Sequence, residues 1–322
     1  AADDDNGDLS DGTPNQCAIL DGFAPHGLGP GGSNSILELG HDVVTNQSPD
    51  LTEYALDADV VNLAPLCVDP ELASAEIVYR VDDGGWLRVD LDIGVDSVAG
   101  TIPQVPDGSI VDYYLEAAGS DGTTIRAPLG GTINPTTFIV GDLEELYFEN
   151  FEDNDGGYTH ELLSGEASDG ADDWQWGQPE GLAGDPAFAY SGNRAWGNDL
   201  GGEWDGQQFN GEYQNDKVNR LSSPAIATGD SERVILQFRR WLNVEDGYYD
   251  QAVVTVDGEE VWTNHEASGD EHHQDAQWAL ETIEVPAALF EDGEIVVSWE
   301  LHSDAGLTFG GWTLDDVSVF AL

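Results

Sequence analysis

Nowhere along the 322 residues does an apolar 3.6-residue period hold for 11 positions; apolar residues recur at every second position, in short runs. EYALDADVV alternates, AEIVYRV and WLRVDL flank a DDGG turn, SIVDYYLEAAG is followed by SDGT, and TTFIV closes the series. Further on, RVILQFRRWLNV sets Val234, Leu236, Phe238, Leu242 and Val244 on one face. QAVVTV and EEVWT are joined by Asp257-Gly258, a pair suited to a tight hairpin, and EIVVSWEL follows. Strands of this length between Gly/Asp turns predict an all-β chain of packed sandwiches without a helix.

The length allows two separate cores. Residues 1–35, rich in Asp, Gly and Pro, bury too little apolar surface to fold alone and read as an acidic tail or linker. Residues 36–142 carry one set of strands, a β-sandwich. Residues 143–322 carry a larger set whose number suggests a jelly-roll sandwich.

Charge narrows the partners. The chain has 64 Asp plus Glu against 9 Lys plus Arg, a formal charge of −55, and Lys217 is its one lysine. Nucleic acid and anionic membrane surfaces would repel it. The balance fits a halophilic setting or one rich in divalent cations, since screening falls to about 3 Å near 1 M salt; plain solubility is the alternative. The chain lacks Met, which suggests a processed product or a fragment. It shows no signal peptide, and no apolar run nears the ~20 residues of a membrane span. Cys17 and Cys67 are expected to form one disulfide in an oxidising, extracellular compartment, the alternative being two free thiols.

Two resemblances add to this. VYRVDDGGWLRVDL (78–91) and GTIPQVPDGSIVDYYLEAAGSDG (100–122) resemble the Ig-like or fibronectin-III-like modules of bacterial secreted proteins, over about 36–141. NFED, DWQWGQP, YSGNRAWGNDLGGEW, LSSPAI, FRRWLNVEDGYYD, HSD and GGWTLDDVSV occur in that order over 143–322. They are similar to the MAM-like jelly-roll domain of immune-inhibitor-A-type metallopeptidases. The resemblances imply a spacer followed by an accessory binding domain, with the catalytic part outside this chain.

Candidate sites follow. In GGWTLDDVSVFAL, alternation puts Asp315 on one face with Thr313, Val317 and Val319, and Asp316 on the other, as a solvated charge. A buried Asp315 needs a partner, because a bare buried carboxylate costs several kcal/mol. The second resemblance implies a structural calcium held by Glu152 and Asp315, with Asp153, Asp155 and carbonyls completing roughly 6–8 oxygens. Backbone N–H donors to Asp315 are the alternative. Glu245 and Asp250, with Asp199 or Asp304, form a second candidate cation site.

His265, His272 and His273 read as a solvated loop, since a zinc site needs three or four convergent ligands. No nucleophile elbow, phosphate loop or paired-histidine helix motif occurs, so the chain is expected to be non-catalytic. Aromatic residues at 174–213 could stack on sugar rings. Trp204, Tyr213 and Tyr190 are the glycan candidates, whereas Trp174, Trp176 and Trp196 belong to the framework motifs of the resembling family.

Three functions compete: a calcium-stabilised surface or adhesion protein that self-associates, its tail pairing with a neighbouring sheet edge; a carbohydrate-binding module; and the accessory region of a secreted peptidase.

Overall fold

The computed structural model describes residues 15–26, 35–68, 70–82, 84–120, 122–167, 170–204, 207–208, 210–267 and 272–322. Side chains 203–208 are not among those described, which leaves the exposure of Trp204 outside the described structure. The chain is all-β, as its alternation predicts, and divides into two compact units, residues 1–141 and 142–322.

The first unit packs a four-stranded sheet against a five-stranded one. Strand Glu53–Asn62 buries Tyr54, Leu56 and Ala58, while Ile110–Gly119 buries Val111, Tyr113, Leu115 and Ala117. These side chains share one core, in which Phe138 meets Tyr54 and Tyr113 edge to face. Strand Leu72–Val81 pairs with Leu87–Asp90, its antiparallel neighbour.

One departure from the sequence reading lies near the start. Within the expected tail, Gln16–Phe23 forms a helix, followed by a 3-10 turn at Ala24–His26. Cys17 on this helix is joined to Cys67 by a disulfide. The helix buries no side chain, so the covalent bond holds it where apolar burial would not suffice. By the chain-entropy argument such a bond contributes at most about 4 kcal/mol. The real gain is smaller here, since the segment it tethers packs little in the folded state.

The second unit packs a seven-stranded sheet on a five-stranded one. Strand Val234–Val244 lies at the centre of the larger sheet and strand Val297–His302 at the centre of the smaller. Val234, Leu236, Phe238, Leu242 and Val244 enter the core as the alternation requires, against Trp299, Leu301, Val254 and Ala252 from the facing sheet. The position skipped in that apolar series belongs to Arg240, which is also buried. Strands Gln251–Val256 and Glu259–Thr263 form the expected hairpin, with Asp257 and Gly258 both at positive φ, as a two-residue turn of this kind demands.

The last strand, Gly311–Ala321, pairs with Val234–Val244 along one edge and with Glu144–Glu149 and Ala195–Asn198 along the other. Both edges are therefore occupied; most of the acidic tail expected to pair with a neighbouring sheet edge lies outside the described residues. Its alternation is also broken. Gln237 pairs with Ser318 and Arg239 with Asp315, so Phe238 alone faces the two residues between them, and Asp316 takes φ 44°. This β-bulge rotates the faces by one residue. Trp312 and Leu314 consequently share the core with Val317 and Val319, while Asp315 turns to the opposite face. The expected placement of Asp315 beside the valines is thus corrected.

Candidate functional site: a carboxylate cluster at the loop end of the second unit

Asp315 is fully buried even so, because the loop 190–194 covers its side of the sheet. The Ser191 amide donates to its Oδ2 at 2.9 Å and the Asp316 amide to its Oδ1 at 2.8 Å. Burial pushes the Asp315 carboxyl up to about 7 despite these bonds. Glu152 meets the same loop: its Oε1 accepts from the amides of Asn193 at 2.8 Å and Arg194 at 2.7 Å. The two acids therefore converge on one loop, and each meets backbone N–H groups there. Asp153 and Asp155 are exposed, and Asp155 Oδ1 accepts from the Gly157 amide. Asp316 is half-buried instead of solvated, accepting the Ser191 hydroxyl at 2.7 Å.

A tighter grouping forms where strand Val234–Val244 runs out into its loop. Carboxylate oxygens of Glu245, Asp250 and Asp304 lie within 4.8 Å of one another. Asp304, and not Asp199, is the third member. The loop 245–250 is fixed from both sides. Asn264 Nδ2 donates to the carbonyls of Glu245 and Asp250, and Asp246 accepts from the amides of Tyr248 and Ala267. Gly247 packs so closely on the carbonyls of Asn264 and His265 that a Cβ would come within 2.8 Å.

Within the cluster, Asp250 Oδ2 accepts the Tyr213 hydroxyl at 2.6 Å and its Oδ1 accepts the Asp304 amide at 2.7 Å. Glu245 Oε2 is buried and has no hydrogen-bond partner. Burial, then the charges of Asp250 and Asp304, push the Glu245 carboxyl above its ordinary range. Burial and Asp304 likewise raise Asp250, against the Tyr213 hydroxyl that lowers it. A Cβ on Gly306 would stand 2.7 Å from Asp304 Oδ1 and 3.2 Å from Glu245 Oε2, so only glycine leaves that side of the cluster open. Oxygen-only donors with excess negative charge suit a hard cation such as calcium.

The aromatic candidates fare differently. Tyr213 is 1% exposed, with its hydroxyl on Asp250, so it cannot stack on a sugar. Tyr190 is half exposed, with the Arg239 guanidinium 4.1 Å from its ring centre. Trp174 and Trp196 lie in the core and Trp176 packs against it. Two tyrosines that sequence reasoning missed stand out: Tyr248 and Tyr249, 58% and 40% exposed, sit edge to face on the same loop as Glu245 and Asp250. Their position between two metal-candidate acids was the available signal.

Of the histidines, His265 is exposed. His272 accepts the Asp246 amide through Nδ1 and packs on Phe309. His273 departs from the solvated-loop reading, being largely buried between Arg240 and Asp275. Among the described residues no helix is long and apolar enough to cross a membrane.

No protein-family model matches the chain. Bacillopeptidase F of Bacillus subtilis (strain 168) is 27% identical over 251 residues, 76% of this chain and 16% of the relative. The chain thus spans under a fifth of that relative's length, and the match is longer than either compact unit, so it includes parts of both. Among solved structures, the K1 cleaved adhesin domain of Lys-gingipain from Porphyromonas gingivalis W83 aligns with 56% of this chain and 99% of its own, at 17% identity and a TM-score of 0.35. A family 35 carbohydrate-binding module from Clostridium thermocellum aligns over the same shares, at 13% identity and a TM-score of 0.28. Likenesses of that size carry no argument about ligands.

Proposed function

We propose that this chain is a non-catalytic, calcium-binding β-sandwich region of an extracellular protein, accessory to a larger whole. The observation that carries the calcium reading is the buried, unpartnered Glu245 Oε2 within reach of Asp250 and Asp304. Three carboxylates at such range repel one another, and a divalent ion turns that repulsion into coordination. The accessory role is supported by the match to a relative of which the shared segment makes up only 16%, and the extracellular setting by the disulfide.

Calcium is expected to raise the melting temperature of the chelator-treated chain. At a hundredfold excess over Kd the gain is about 2.7 kcal/mol, or roughly 5–10 °C for a unit of this size. Glu245→Gln/Asp304→Asn is expected to lose one tight calcium equivalent in equilibrium dialysis. Wild-type stoichiometry in that variant would remove the site.

A second reading, glycan binding, is favoured by Tyr248 and Tyr249, whose exposed rings share the metal-candidate loop. Soluble oligosaccharides should then quench the protein's intrinsic fluorescence only when calcium is present, and Tyr248→Ala/Tyr249→Ala should abolish the response. Equal quenching in the variant would place any sugar elsewhere.

A further inference from the structure

A second pair of acids, Asp185 and Asp199, lies on the seven-stranded sheet's other face, away from its core. The turn carrying Asp185 is pinned there by its neighbour: the Gly184 carbonyl accepts Trp241 Nε1 at 2.9 Å and Asn243 Nδ2 at 2.7 Å. Ala183 and Gly184 both take positive φ, and the Asp185 amide closes the turn on Leu182 O. The side chain is thereby pressed onto the backbone of Gly310, where a Cβ would overlap its carboxylate. Asp185 is 8% exposed, and neither of its carboxylate oxygens has a hydrogen-bond partner. Asn243 Nδ2, a donor close by, is bonded to Gly184 O.

Asp199 sits at φ 38° after strand Ala195–Asn198, with its amide on Asp173 O and its Oδ1 accepting from Gly201. It is fully buried, and its Oδ2 is also without a partner. Burial, then the charge of Asp199, drives the Asp185 carboxyl up to about 8.

Asp173 nearby shows what a satisfied buried carboxylate looks like in this fold. Its Oδ1 accepts from Asn198 and Asn219, and its Oδ2 from the Gln214 amide. Both oxygens of Asp185 and Oδ2 of Asp199 are buried without a hydrogen bond of ordinary length; Asn243 stands beside Asp185, and the Asn210 and Gly211 amides stand beside Asp199, as partial compensation. Two buried carboxylates whose charges reach one another call for a positive partner once both are ionised. The donors are carboxylates, which select a hard divalent ion over zinc or copper.

We propose that Asp185 and Asp199 form a further cation site, distinct from the Glu245 cluster, that takes a divalent ion of the calcium class.

The test is calcium stoichiometry by equilibrium dialysis on the full chain at pH 8 in molar potassium chloride, which screens surface acids. Wild type is expected to hold two tight equivalents. Asp185→Asn/Asp199→Asn should hold one, and Glu245→Gln/Asp304→Asn the other. Without calcium, the Asp185→Asn/Asp199→Asn variant should melt no lower than wild type, since a buried repulsion is gone, yet it should gain less on adding calcium. Wild-type stoichiometry in Asp185→Asn/Asp199→Asn overturns the proposal and assigns the pair a shared proton instead. Wild-type stoichiometry in Glu245→Gln/Asp304→Asn alone overturns the other site and leaves this one standing. Should the Asp185 variant fail to fold, Trp241→Phe in the Glu245→Gln/Asp304→Asn background decides the matter. Terbium emission excited through tryptophan should fall there, and unchanged emission overturns the proposal.

Discussion

Arg240→Met is expected to destabilise the second unit by about 3–5 kcal/mol, the usual cost of stripping one partner from a buried ion pair. Arg240 occupies a core-facing position on Val234–Val244, with its guanidinium 5.3 Å from the Trp262 ring centre. Its Nε lies 3.2 Å from Glu281 Oε2 and 4.0 Å from Asp275 Oδ2, and its NH1 lies 2.9 Å from His273 Nε2. Burial alone would raise the Asp275 carboxyl, but Arg240 and then His273 hold it below its ordinary value. Removing the guanidinium strands two acids in a dry site. The methionine would fill most of the volume, so the loss reports charge and not a cavity. In thermal melts it corresponds to a drop of roughly 10 °C. Arg240→Met/Asp275→Asn/Glu281→Gln should recover most of it. A single-variant loss under about 1 kcal/mol would show that the cluster is effectively solvated.

Metal-free protein in molar salt is expected to lose stability as pH rises from 5 to 8. Burial raises Asp173 and Asp315 each to about 7, and Asp199 to about 6. Unfolded aspartate titrates near 3.9, so across this window the folded chain binds more protons than the unfolded one. Stability then falls with pH, by up to about 1.4 kcal/mol per pH unit for each group still protonated. Asp275 and Glu300 are lowered and act in the opposite sense, and their contribution disappears as pH drops below about 4. The optimum without metal should therefore fall near pH 5. Calcium should flatten the decline, because a bound cation favours the ionised acids. Urea unfolding at pH 5, 6.5 and 8, with and without chelator, measures this; a metal-free chain as stable at pH 8 as at pH 5 would refute it.

How far the sequence reveals this molecule depends on the kind of signal. Alternation located the strands, because a two-residue period on a half-buried surface is a direct consequence of pleating. Asp257-Gly258 fixed its hairpin for a similarly local reason. The bulge at Asp316 escaped that reading: an inserted residue leaves the residue types unchanged while exchanging their faces, and it moved Asp315 away from the valines. The short helix at Gln16–Phe23 was invisible because it has no buried stripe to produce a period. Glu245 and Asp250 were found by closeness along the chain, and Asp304 was named beside them. Asp185 drew no notice, since among 64 acidic residues one more carries no information until its burial is known. Arg240 was passed over as a gap in an apolar face, when the gap itself was the feature.

The central position of Gly311–Ala321 sets an order of events. Its partners begin at Glu144, so the sheet cannot be completed until some 170 further residues have left the ribosome or a translocation channel. Up to that moment the neighbours of the missing strand present open hydrogen-bonding edges and a core without Trp312, Leu314, Val317 and Val319. The core of this unit can close only once its last strand is available.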